Sequence, residues 1–235
     1  MASPKRIKNL ETNVIKLYGS PVSNCYNTVL AALHYKGLAV KEQHGSASAG
    51  QAFLQHSPMG KIPYVVHGEY SISETSAIVE YVDEVFAGPA LFPGDALQRA
   101  RQRQLMKFVE LYVEAPARRL FPGVFWCQSN PQLHIDEVRP VMERGLTAIG
   151  LLLQGSAFLR QTPACAAGFY SYFSLNLAAL VTRQQYNWEL IASSPGIHDY
   201  LEGLDGLAFM KTIIAQRDDA MAAYLAKKAA EAQGG

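Results

Sequence analysis

The sequence predicts an α/β domain with element order βαβαββα, followed by a domain built of helices. Three observations carry that prediction. Over residues 14–86, short β-rich runs alternate with apolar patterns of helical period. A Pro/Gly-rich stretch, Gly88-Pro89 and then Phe92-Pro93-Gly94, interrupts the pattern as a linker does. Beyond it no strand pattern stands out, and apolar residues recur at helical spacing. The predicted domains are residues 1–88, with 1–12 as an N-terminal extension, and residues 95–235.

Taken in order, Val14-Ile15-Lys16-Leu17-Tyr18 is a β-rich run that stops at Gly19-Ser20-Pro21. Residues 24–36 read as a helix with Val29, Leu30 and Leu33 on one face and Gly37 at its end. Residues 40–43 read as a second strand, and 47–56 as a helix ended by Ser57-Pro58. Residues 63–67 and 69–72 flank Gly68 and form a tight hairpin. Residues 73–86 form a helix with Ser73 as N-cap and an apolar stripe of Ala77, Ile78, Tyr81, Val82 and Val85. In the second domain Leu105, Phe108, Val109, Tyr112 and Val113 repeat at helical spacing, and helices are expected over 131–153, 163–181, 195–204 and 218–228. The Ala-rich tail ending in Gly234-Gly235 is expected to fray.

Hydrophobic residues make up 49% of the 235 positions and charged residues 17%, enough apolar material for sizeable cores. A net charge of +1 argues against a nucleic-acid or membrane-surface partner. The short basic clusters, Lys5, Arg6 and Lys8, then Arg99, Arg101 and Arg103, read as solvated faces. Three sparse cysteines, Cys25, Cys127 and Cys165, and a polar start without an apolar core argue against a secreted disulfide framework. The longest apolar runs are too short to span a bilayer, so the expected location is the cytoplasm, with reduced thiols. The six histidines show no metal-ligand spacing, and no metal is expected.

Three segments carry chemistry. In Ser20-Pro21-Val22-Ser23-Asn24-Cys25-Tyr26, a hydroxyl stands at the start of a helix. The N–H groups and dipole there favour an anion. Each pKa unit removed from a bound thiol takes about 1.4 kcal/mol of preferential thiolate stabilisation. One charge-assisted hydrogen bond supplies about 1.5–3 kcal/mol. Ser23 either donates such a bond or merely caps the helix. Met59-Gly60-Lys61-Ile62-Pro63 leads into a strand. It is either a plain loop or a tight, cis X-Pro turn that offers the Ile62 backbone to an extended peptide. Ser73-Glu74-Thr75-Ser76-Ala77-Ile78 opens a helix, a second anion site suited to a carboxylate. Glu74 either binds an ammonium or only complements the dipole. Taken together, the three suit a thiol, a peptide backbone and a zwitterionic amino-acid end, the parts of a γ-glutamyl tripeptide.

Over nearly its whole length the sequence resembles the cytosolic glutathione transferase family, close to bacterial serine-type members of the theta, zeta and beta kinds. Leu17-Tyr18-Gly19-Ser20-Pro21 is similar to the family's first strand and turn, Gly60-Lys61-Ile62-Pro63 to its cis-proline loop, and Glu74-Thr75-Ser76-Ala77-Ile78 to its Glu-Ser-x-Ala-Ile motif. The resemblance implies a thioredoxin-like first domain that holds glutathione and a helical second domain that shapes the pocket for a small electrophile. It puts Ser23 at the catalytic serine of theta- and zeta-like members and Cys25 at the active-site cysteine of beta-like ones. It implies that Ile62, before Pro63, binds the cysteinyl part through its backbone. Lys61 is then assigned to the glycine carboxylate, and Glu74 and Thr75 to the γ-glutamyl end. Tyr112, Phe125, Trp126, Tyr170 and Phe173 are the aromatic candidates for the second-substrate pocket, or else core. A two-fold homodimer is implied, one subunit's first domain against its neighbour's helical domain.

Two departures from the family pattern stand out. The Ser/Thr-x-x-Asp capping box of the second domain has its nearest match in Thr162-Pro163-Ala164-Cys165, where Cys165 supplies no acidic partner. The double-serine-cysteine pattern of zeta-like isomerases is not reproduced, which disfavours maleylacetoacetate isomerisation. Three functions remain open at this stage. They are conjugation through Ser23, a glutathione-dependent thiol-disulfide reductase or peroxidase using Cys25, and a non-catalytic binding or scaffold protein on the same fold.

Overall fold

The computed structural model describes residues 14–233, in two compact units divided between Leu91 and Phe92. The extension expected over 1–12, with its Lys5, Arg6 and Lys8, and the terminal Gly234-Gly235 lie outside the described residues.

The first unit runs β1 (Val14–Gly19), α1 (Asn24–Tyr35), β2 (Ala39–His44), α2 (Gln51–Leu54), β3 (Tyr64–His67), β4 (Tyr70–Ser73) and α3 (Thr75–Val85). This is the βαβαββα order expected of a thioredoxin-like domain. The strands lie in the order β2-β1-β3-β4; β1 and β2 are parallel, and β3 is antiparallel to both β1 and β4. Alternation along β1 buries Ile15, Leu17 and Gly19. Its opposite face presents Tyr18, which stacks on its cross-strand partner Tyr64 at 4.5 Å. Phe53 and His56 cover Tyr64, each with its ring 5.2 Å away.

Two of the expected elements change. The helix expected over 47–56 shrinks to four residues. Ser48 is drawn out of it, because its N–H donates to Gly60 O at 3.1 Å and its hydroxyl accepts the Gly50 N–H. Ser73 is not the cap of α3: it ends β4, paired with Tyr64, and Glu74 takes the cap position at φ 71°. Gly68, also at positive φ, turns the two-residue β3–β4 connection.

The second unit is helical: α4 (Ala96–Val109), a π-helical segment (Glu110–Glu114), α5 (Ala115–Arg118), α6 (Phe121–Phe125), α7 (Gln132–Gln154), α8 (Ala157–Gln161), α9 (Ala166–Tyr186), α10 (Pro195–Glu202) and α11 (Ala208–Gln233). A reciprocal capping box starts α4: Asp95 accepts from the Gln98 N–H and Gln98 from the Asp95 N–H. Pro116 has no N–H to give the Tyr112 carbonyl, and the helix widens there into the π turn. Gly145 of α7 accommodates that carbonyl, since a Cβ on it would come 2.8 Å from Tyr112 O.

The central helix α9 begins three residues later than expected. Thr162 closes α8, and Cys165 is the N-cap residue of α9, its carbonyl accepting the Phe169 N–H at 3.0 Å. Gly168 occupies the third helical position, where a capping box would carry its acid. A Cβ there would lie 1.8 Å from Pro163 O and 3.4 Å from the Tyr200 hydroxyl. The last helix spans 26 residues, longer than the 218–228 expected.

Candidate active site

Strand register brings the three chemistry-bearing segments to one end of the sheet. Gln43, Tyr18, Tyr64 and Ser73 form a row across all four strands. Just past that row lie Gly19 and its turn, the Ile62–Pro63 bond, and Glu74 with Thr75.

The turn from β1 into α1 is braced at several points. Ser23 N–H donates to Ser20 O at 2.9 Å, Asn27 N–H to Ser23 O at 3.0 Å, and the Asn27 side-chain amide to Pro21 O at 2.7 Å. Ser23 is the N-cap of α1, and its Oγ accepts the Tyr26 N–H at 3.3 Å. That bond uses a lone pair and leaves the Ser23 O–H for donation elsewhere. Ser23 is half-buried. Cys25 follows two residues on, in the first turn of α1, with its side chain likewise half-buried. Neither Asn27 nor Tyr26 announced itself in the sequence, because both act through contacts with residues that only the folded turn brings near.

The Ile62–Pro63 peptide is cis. The loop before it is held by buried Ser57, whose hydroxyl donates to Lys61 O at 2.7 Å and whose carbonyl accepts the Gly60 N–H at 2.8 Å. The Lys61 side chain is exposed, Ile62 is half-buried and Pro63 is buried. Glu74 is exposed at the start of α3 and Thr75 behind it is buried. Glu74 holds φ 71° and ψ 118°, a backbone conformation that side chains other than glycine rarely adopt. The N-termini of α1 and α3 therefore open at the same end of the sheet, where both helix dipoles favour negative charge. Burial pushes the Tyr26 and Tyr64 phenols up, Glu42 adding to the effect at Tyr26 and Tyr18 at Tyr64. Both phenols are therefore neutral at physiological pH.

The aromatic residues expected at a second pocket divide. Tyr112, in the π segment, and Trp126, just past α6, are exposed by 44% and 49%. Phe125, Tyr170 and Phe173 are buried in the core of the helical unit, Phe125 packing edge-on against Phe121 at 4.9 Å. Apolar spacing alone does not separate these two fates. The histidines also held more than their spacing suggested. On α10, His198, Asp199 and Glu202 bring ligand-type atoms within 4.8 Å of one another, on an exposed surface where His198 faces both carboxylates.

Residues 17–90 match the family model for the glutathione S-transferase N-terminal domain. A glutathione S-transferase of Pseudomonas putida is 29% identical over 90% of this chain and 96% of its own. Residues 17–90 belong to the glutathione S-transferase N-terminal domain family, and the chain is similar to a glutathione S-transferase over most of its length. Among solved structures, a serine-to-cysteine variant of poplar glutathione transferase F1 shares the fold at a TM-score of 0.73 and 17% identity, over 88% of this chain and 99% of that one. Maleylacetoacetate isomerase of Methylobacterium extorquens, solved with malonate and glutathione, does so at a TM-score of 0.66 and 22% identity, over 84% and 95%. The β1–α1 turn, the cis-proline loop and the start of α3 all lie within the residues that the family model matches. Among the described residues, no helix is long and apolar enough to cross a membrane.

Proposed function

We propose that the protein is a glutathione transferase in which Ser23 activates the glutathione thiol for attack on small electrophiles. The observation that carries this reading is the convergence of the Ser23 turn, the Ile62–Pro63 bond and the Glu74–Thr75 helix start at one end of the sheet. These groups fit the tripeptide part by part. Glu74 and Thr75 hold the γ-glutamyl end, the Ile62 backbone the cysteinyl part, and Lys61 the glycine carboxylate. Ser23 donates its O–H to the sulfur, and the N-terminus of α1 adds the field of its dipole. The thiol proton passes to solvent. A sulfur–carbon bond forms as the bond to the leaving group breaks, and the leaving group departs with the electron pair. Binding both reactants side by side raises their effective concentration. The family likeness supports a homodimer, and three sparse cysteines, none of them disulfide-bonded, support a cytoplasmic location. Elution at a monomer's volume in sizing chromatography would remove the dimer.

The test is turnover of a chlorinated nitroaromatic with glutathione by the parent chain, Ser23→Ala and Cys25→Ala. Loss in Ser23→Ala with activity kept in Cys25→Ala supports the reading. The reverse pattern, with a glutathione adduct on Cys25, assigns the thiol-disulfide alternative. Full turnover in Ser23→Ala removes the role given to Ser23, and failure to bind immobilised glutathione removes the whole reading. The isomerase among the structural neighbours makes maleylacetoacetate a second substrate to assay.

A further inference from the structure

The side chain of Tyr26 ties strand β2 to the turn that carries Ser23. Its ring is fully buried and lies against Gly19, where an added Cβ would come within 2.5 Å of Tyr26 Cδ2. A buried hydroxyl needs a partner. Tyr26 Oη donates to Glu42 Oε2 at 2.5 Å. The backbone N–H of the same tyrosine donates to Ser23 Oγ at 3.3 Å. Glu42 stands on β2 opposite Leu17, its side chain partly exposed, and its Oε2 also lies 3.5 Å from His44 Nε2. The His44 ring meets the Tyr26 ring edge-on at 6.1 Å. One tyrosine thus touches both ends of the turn, Gly19 through its ring and Ser23 through its N–H, and is anchored from outside by a carboxylate.

We infer that Glu42 is a positioning residue for the Ser23 hydroxyl, acting through Tyr26. The inference rests on Ser23 being the donor to the thiol. The direction of the Tyr26 N–H decides which lone pair of Ser23 is occupied and where its O–H points. That N–H is fixed by how the first turn of α1 sits over Gly19. With the phenol held by Glu42 the turn cannot roll. Without an acceptor the hydroxyl must move to reach water, and it carries the N–H with it.

Glu42→Leu is expected to lower kcat about ten-fold, a fraction of what a 1 Å misplacement costs, with KM for glutathione changed less than about two-fold. It should also raise the pKa of the bound glutathione thiol, read from thiolate absorbance. This direction separates positioning from simple charge, because deleting a nearby negative charge alone would lower that pKa. Glu42→Gln, which keeps an acceptor for the phenol, should recover most of the lost kcat. In a Ser23→Ala background Glu42→Leu should change little, since both act on one hydrogen bond. Unchanged or lowered thiol pKa in Glu42→Leu, or full additivity with Ser23→Ala, overturns the inference. If Glu42→Leu does not fold, Glu42→Val makes the same test with the Tyr26 ring and hydroxyl kept. It should show the same kcat loss and pKa rise, and parent values there overturn the inference. Full activity in Ser23→Ala sinks this inference together with the reading beneath it. Impaired Ser23→Ala beside normal Glu42→Leu sinks the inference alone.

Discussion

Lys36 Nζ lies 3.0 Å from Asp83 Oδ1, and the same carboxylate oxygen accepts the Leu91 N–H at 2.7 Å. The pair joins the C-cap of α1 to the last turn of α3 and ties down the segment that follows α3. Lys36 is nearly inaccessible, its side chain only 2% exposed. Removing one partner strands a buried charge, at a cost of about 3–5 kcal/mol. Asp83→Ala is therefore expected to destabilise the first unit by about 3 kcal/mol, read by denaturant unfolding. The paired change Lys36→Met with Asp83→Leu should recover much of the loss. Single and double variants of equal stability would show that the ion pair contributes nothing.

Ser23 has two separable jobs. As an N-cap its loss costs about 1 kcal/mol of stability. As donor to a thiolate its loss costs about 1.5–3 kcal/mol of transition-state stabilisation, or roughly ten- to hundred-fold in rate. Ser23→Ala should therefore lose far more in kcat than its small drop in Tm explains. Ser23→Asp restores the cap but donates no proton to sulfur, so it should regain Tm and not rate. Recovery of rate in Ser23→Asp would refute the donor role.

Much of the first unit was legible because its elements are local. Alternation at Ile15 and Leu17 and the helical stripe of Ile78 and Val82 need no knowledge of distant residues. The failures are places where a distant partner decides. Ser73 is the better cap by residue type, yet pairing with Tyr64 takes it into the sheet and leaves the cap to Glu74. Thr162 looks like the start of α9, but the cap is Cys165, beside a glycine that leaves room for Tyr200. The π turn needed Pro116 and Gly145 together, from two different helices. At the candidate site, residue types pointed to Ser23, Pro63 and Glu74, whereas Tyr26 on α1 and Glu42 on β2 meet only in the folded unit and left no local mark.

Gly168 carries a packing demand that can be measured directly. A Cβ at 168 would sit 1.8 Å from Pro163 O, too close for any rotamer to relieve. Gly168→Ala should shift the start of α9 and cost about 2–4 kcal/mol. Gly150, on α7, is the control. A Cβ there meets nothing within 4 Å, so Gly150→Ala should stabilise its helix by about 1 kcal/mol. Equal Tm changes for the two variants would contradict the geometry.

Alkaline pH should unfold the protein. Burial pushes the Cys165 thiol up, and the Tyr26 and Tyr200 phenols well above the ordinary range, while burial and then Asp205 lift Tyr172 to about 12. Each group binds its proton more tightly folded than unfolded. The stability they contribute is complete below the unfolded values, about 8.5 for a thiol and 10 for a phenol, and is lost as pH rises past them. Tm should be flat with respect to these groups near pH 7 and fall above about pH 9. The buried tyrosines should ionise together with unfolding, seen as coincident phenolate absorbance and circular-dichroism transitions. Phenolate appearing in full before unfolding would contradict the burial of these rings.

Glu74 is held at φ 71° and ψ 118°, where a side chain costs about 1–3 kcal/mol. Glycine adopts that conformation without strain. Stability alone would therefore favour glycine, and the carboxylate at this position needs another justification. If Glu74 grips the ammonium of the γ-glutamyl end, the strain is retained because the distorted cap aims the carboxylate beside the N-terminus of α3. Glu74→Gly is accordingly expected to raise Tm while weakening glutathione binding by about ten-fold, the loss of one charge-assisted bond. Glu74→Gln keeps the strain and the side-chain length but loses the charge, so it should weaken binding without raising Tm. Calorimetry for stability and titration calorimetry for glutathione separate the two quantities. A Glu74→Gly variant that gains stability and binds glutathione as the parent does would leave the strained cap without the role assigned to it.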